Sequence, residues 1–76
     1  MEATIISEKL RGLRAEKRLS LEQMAEKLNI HRETFRKYEN NPFIMDIGTF
    51  IEILEIYGVE VNIFFENIMA NSHKDN

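Results

Sequence analysis

The chain has 76 residues, 43% hydrophobic and 30% charged, with a formal net charge of −3 and no cysteine. A chain this short holds one hydrophobic core and so one domain. Its composition is globular rather than disordered, and the missing thiols exclude a disulfide framework, a thiolate metal site and a cysteine nucleophile. The charge is uneven: residues 1–41 carry nine Lys or Arg against seven acids, a net +2, whereas residues 42–76 carry Lys74 against six acids, a net −5. One half suits a polyanion and the other does not. The opening MEATIISEKLRG lacks the basic flank and apolar run of a signal peptide, and no apolar stretch approaches the roughly 18 residues of a membrane span. The expected location is cytoplasmic, without membrane attachment.

Taken in chain order, the pattern predicts an all-α fold of five helices. Ile6, Leu10 and Leu13 recur at helical spacing from Thr4 or Ser7 onward, with Arg11, Arg14 and Lys17 on another side. Ser20-Leu21-Glu22-Gln23 has the form of a capping box, which starts a second helix at about Leu21. Met24, Ala25 and Leu28 share a face there, and Asn29 suits the left-handed conformation of a helix end. The third helix spans His31 to Asn40, with Phe35 and Tyr38 inward and Arg32, Glu33, Arg36 and Lys37 outward. Asn40-Asn41-Pro42 breaks it.

Asp46 is placed to cap a fourth helix with Ile47, Phe50, Ile51, Leu54 and Tyr57 facing inward and Gly58 closing it. A fifth runs from Val59 to about Met69 with Val61, Phe64, Phe65 and Ile68 as its apolar set. The expected division is a helical domain over residues 1–69 and a flexible polar tail over residues 70–76.

Two short helices joined through Asn29-Ile30-His31 inside such a bundle form the pattern of a helix-turn-helix. A second helix held across the first protrudes far enough to enter a major groove about 12 Å wide, while the first lies over the phosphate backbone. The cations of the third helix then face DNA.

The run LRAEKRLSLEQMAEKLNIHRETFRKYENN, followed by an acid-capped helix and YGVEVNIFF, resembles the helix-turn-helix domains of phage lambda-type repressors and Cro proteins, the XRE family, over about residues 5–66. The pieces that carry the likeness are LS-x-E-Q-M-A-E-K-L, Ile30, Glu39 and the closing Gly58-Val59. The resemblance implies a lambda-repressor-like domain in which Arg32, Glu33 and Lys37 touch base edges with Arg36 beside them. Ser20 and Asn40 would meet phosphate, with His31 near the same strand, and Arg14 would bridge to Glu39 as a structural ion pair. Two positions depart from the pattern. Leu21 stands where the family usually has a Gln that contacts DNA, and His31 is a mediocre helix cap.

Arg32 and Arg36 can each donate two hydrogen bonds to guanine O6 and N7, and Glu33 can accept from a cytosine amine. The competing view is that these charges solvate an exposed helix face, helped by a Glu33–Lys37 pair at i,i+4; the tight turn and the family pattern favour DNA. Lys17, with Lys9, Arg11, Arg18 and Lys27, adds candidate phosphate contacts. His31 and His73 are isolated, so no metal site is expected. No carboxylate pair, nucleophile with a base or glycine-rich phosphate loop appears, so neither an enzyme nor a bound cofactor or small molecule is expected.

The last two helices carry more apolar residues than one face can bury. Ile44, Ile53, Ile56, Ile63 and Met69 are the surplus, and they mark an expected two-fold dimer interface. The expected function is a dimeric transcriptional repressor of prokaryotic or phage type, reading a palindromic operator with its third helix. The alternative is a protein-interaction module, such as an antirepressor or the antitoxin of a toxin–antitoxin pair.

Overall fold

The chain forms a series of short helices, three of them started by a side-chain cap. In the computed structural model, which describes residues 2–73, these are α1 (Ala3–Glu16), α2 (Leu21–Leu28), α3 (Arg32–Asn40), a 3₁₀ turn (Pro42–Ile44), α4 (Ile47–Tyr57) and α5 (Val61–His73). No strand occurs among the described residues. The architecture is the all-α, lambda-repressor-like bundle with α2 and α3 as the helix-turn-helix.

Ser20 Oγ accepts from the Gln23 N–H at 3.0 Å, and Gln23 Oε1 accepts from the Ser20 N–H at 2.8 Å, the reciprocal cap that starts α2. Helices α1, α2 and α4 end alike. Arg18, Asn29 and Gly58 adopt left-handed conformations with φ of 56°, 57° and 74°. The next residue in each case, Leu19, Ile30 or Val59, donates its N–H to the carbonyl five residues back at 3.1, 3.0 and 3.0 Å. These bonds satisfy carbonyls that a helix end would otherwise leave bare. Asn29 and Gly58 suit that conformation, whereas Arg18 pays a Cβ clash for it.

The core draws on every element: Ile6, Leu10 and Leu13 from α1, Met24, Ala25 and Leu28 from α2, Phe35 from α3, Met45 after the 3₁₀ turn, Phe50, Ile53, Leu54 and Tyr57 from α4, and Phe64 and Ile68 from α5. Phe50 meets Phe64 edge-to-face at 5.6 Å, and Phe64 meets Phe65 at 5.3 Å and 88°, geometries that set the positive edge of one ring against the negative face of another.

Three expectations need correction. In α4 the inward stripe is Phe50, Ile53, Leu54 and Tyr57, while Ile47 is 68% and Ile51 39% exposed. Apolar side chains surround so much of this helix that two stripes fit the helical period, and only packing chooses between them. Ile53, expected at a dimer interface, is therefore fully buried in the monomer's own core, and Ile56 packs half-buried against it. In α5 the helix starts at Val61 rather than Val59 and runs through Ala70 to His73, overlapping the first four residues of the expected tail; residues 74–76 lie outside the described residues.

Candidate nucleic-acid interface

Helix α3 presents an exposed charged side because two of its residues are held from behind. Phe35 is 1% exposed in the core, and Glu39 is 4% exposed. A buried carboxylate is costly unless paired. Arg14 Nε donates to Glu39 Oε2 at 2.9 Å and Arg14 Nη2 to Oε1 at 3.1 Å, a two-point bond that fixes direction as well as distance. The same guanidinium donates from Nη1 to the Leu19 carbonyl at 2.9 Å, so one side chain joins α1, the link before α2, and α3. The bond to Glu39 raises the Arg14 pKa further above its usual value.

Ser7 completes the clamp. Its hydroxyl, buried in α1, donates to the backbone carbonyl of Glu39 and accepts from Arg11 Nη2 at 2.9 Å. Sequence reasoning passed over Ser7 and the structural use of Arg11. The available signal was a small polar residue directly beside Ile6 and one turn before Leu10, on the side of α1 that turns inward. Tyr57 lies close enough to feel the charges of Glu39 and Arg14, and burial pushes its phenol well above the usual range. Its hydroxyl finds no hydrogen-bond partner among the described residues.

The outward side of α3 carries Arg32, Glu33, Arg36, Lys37 and Asn40, all exposed. Glu33 bonds Arg36, with Arg36 Nη2 3.0 Å from Oε2, rather than Lys37 as the i,i+4 spacing had suggested. That hydrogen bond, more than the nearby charges of Arg36, Arg32 and Lys37, holds the Glu33 carboxyl below its usual pKa. His31 does cap α3: its Nδ1 accepts from the Glu33 N–H at 3.1 Å, which leaves Nε2 as the ring's outward donor.

Ser20 is exposed at the start of α2. Its oxygen accepts within the capping box, and its hydroxyl hydrogen is left to donate outward. Lys17 is exposed just after α1. Leu21 is half-buried against the core, so it serves the packing of α2 and is not presented as the family's usual Gln would be. Gln23, read from the sequence only as a cap, also leaves its amide NH₂ free for an outside acceptor, since only its oxygen bonds Ser20.

The exposed large apolar residues are Phe43, Ile44, Ile47, Ile51, Ile63 and Met69. Pro42, Phe43, Ile47 and Phe65, with Ile6 at the base, line an apolar groove of about 230 Å³. Among the described residues no group of three or more His, Asp or Glu is placed to hold a metal ion, and no helix is long and apolar enough to cross a membrane. Comparison with known proteins gives a match to the family model described as "Helix-turn-helix domain" over residues 7–68. No curated protein and no solved structure matches the chain.

Proposed function

The chain belongs to the helix-turn-helix domain family, and from that premise we propose that it is a sequence-specific regulator that binds double-stranded DNA and represses transcription in a prokaryotic or phage setting. Helix-turn-helix domains are DNA-binding modules whose second helix enters the major groove. The observation that carries the reading is the way α3 is mounted: Phe35 and Glu39 tie down its inner side, and Arg32, Arg36 and Lys37 project from a fixed backbone. Rigid mounting matters because base readout requires side-chain tips to meet base edges within hydrogen-bonding tolerance. In this reading Arg32, Arg36 and Lys37, with Glu33 among them, face bases. Ser20, His31, Asn40 and Lys17 face the backbone, supported by the N-terminal ends of α2 and α3.

A homodimer completes the proposal, since paired recognition helices about 34 Å apart read a palindrome. With Ile53 buried in the monomer core and Ile56 half-buried against it, the surface that remains for it is Ile44, Ile63 and Met69, joined by Phe43, Ile47 and Ile51. Sedimentation should show a dimer that Ile63→Asp together with Ile47→Asp converts to a monomer; a double variant that sediments as a dimer removes this surface from the proposal.

Selection of bound duplexes from a random pool tests the main reading. A palindromic consensus is expected, and the same selection with Arg36→Ala should lose preference at one position in each half. Binding should weaken steeply with salt, and Lys37→Ala should make that slope shallower by about one. The exposed apolar groove supports a second reading, in which the domain grips another protein, as an antirepressor or antitoxin would. Stable binding of one heterologous protein with no selected duplex would favour it.

A further inference from the structure

Glu33 stands between the two arginines of α3. Its carboxylate accepts from Arg36 Nε at 3.2 and 3.1 Å and lies 3.0 Å from Arg36 Nη2, while Arg32 Nη1 is 4.0 Å from its Oε1. Glu22, on α2, sits 4.0 Å from Arg32 Nε. Charges therefore alternate Glu22, Arg32, Glu33, Arg36 across the side that faces DNA in the reading above. A plain polyanion-binding patch has no need of carboxylates there, because each one subtracts from attraction to phosphate.

The geometry gives the carboxylate a use. A guanidinium has five N–H donors in a rigid fork. Glu33 takes the Nε hydrogen and lies along the side of the fork where Nη2 is 3.0 Å away, which leaves an Nη1 and an Nη2 hydrogen as a parallel pair at the tip. That tip is the edge a guanine needs for O6 and N7, so reading a guanine breaks no existing bond. A phosphate could reach the same tip, but it brings a negative charge up to the Glu33 carboxylate, which a neutral guanine does not.

We propose that Glu33 is a positioning residue that sets sequence specificity, aiming Arg36 tip-first at a guanine and repelling backbone phosphates that would otherwise capture it. The inference rests on the DNA-binding reading. It assigns Glu33 a role through Arg36 instead of a direct contact with cytosine, and it places discrimination in a repulsive element.

The test compares two probes by fluorescence anisotropy: a duplex recovered by the wild-type protein from a random pool, and a scrambled duplex of the same length and composition. For Glu33→Gln, the scrambled duplex should bind several-fold more tightly with a salt slope steeper by about one. The ratio between the two probes should fall about tenfold, the scale of one bidentate base contact. Glu66→Gln, which removes the same charge from exposed α5, should leave the ratio unchanged. Glu33→Gln combined with Arg36→Ala should discriminate no worse than Arg36→Ala alone, because the carboxylate acts through that arginine. An unchanged ratio in Glu33→Gln, an equal drop in Glu66→Gln, or additive losses in the double variant each overturn the inference while leaving DNA binding standing. A wild-type protein that recovers no duplex overturns the DNA-binding reading itself.

Discussion

Helices α3 and α4 have similar lengths, nine and eleven residues, yet they are held by different physics. Helix α4 gives Phe50, Ile53, Leu54 and Tyr57 to the core and still leaves Ile47 and Ile51 in solvent. Helix α3 buries one aromatic, Phe35, and one carboxylate, Glu39, and turns its charges outward. Non-directional burial keeps α4 in place but tolerates small rotations. With so little apolar surface to bury, α3 depends on the two-point bond from Arg14 and the Ser7 contact with the Glu39 carbonyl. Those bonds fix its rotation about its own axis, which is the property a reading helix requires.

Substitutions can break that contrast. Phe35→Ala should have the largest effect, about 3–5 kcal/mol by large-to-small core truncation. That is a large share of the roughly 4–11 kcal/mol available to a chain of this length. Urea titration should find it unfolded or nearly so, and a loss under about 1 kcal/mol would mean α3 is not anchored there. Arg14→Ala should cost about 3 kcal/mol by leaving buried Glu39 with only Arg11, 4.0 Å away, as a cation partner. Arg14→Met with Glu39→Leu should recover much of that stability, yet give poorer DNA discrimination than wild type, since packing alone does not set the helix's rotation. In α4, Ile53→Ala should cost about 2–4 kcal/mol and Ile47→Ala under about 0.5; equal costs would show that the inward stripe is misassigned. In the opposite direction, Gly12→Ala should stabilise by about 0.5–1 kcal/mol, seen as a higher Tm, because Gly12 lies exposed inside α1 with nothing within 4 Å of an added Cβ.

How readable each part was in the sequence follows from the same contrast. Helix α3 has one apolar side and one charged side, so its orientation follows from the period of its pattern alone. Ser20 and Gln23 form a local device whose partners lie three residues apart, and nothing distant is needed to foresee it. In α4 apolar side chains cover more than half of the circumference, so the choice of Ile53 over Ile47 and Ile51 belongs to the bundle rather than to the helix. Ser7 and Glu39 are 32 positions apart, and no local rule joins them. The Glu33–Arg36 pair was also hidden, because Glu33 has cations at both i+3 and i+4 and only the rotamers decide between them. The left-handed Arg18 contradicts its own side-chain preference, and the Leu19 bond to the Arg14 carbonyl holds it there.

Three of the four helix-to-helix connections are each decided within six consecutive residues, by one left-handed position and the bonds that flank it. A chain whose changes of direction are settled so locally sacrifices little loop entropy before its first contacts form. Self-assembly should accordingly finish in microseconds to milliseconds, the regime of helical proteins with low contact order. The speed of becoming native is then set by these corners and not by the search for distant partners.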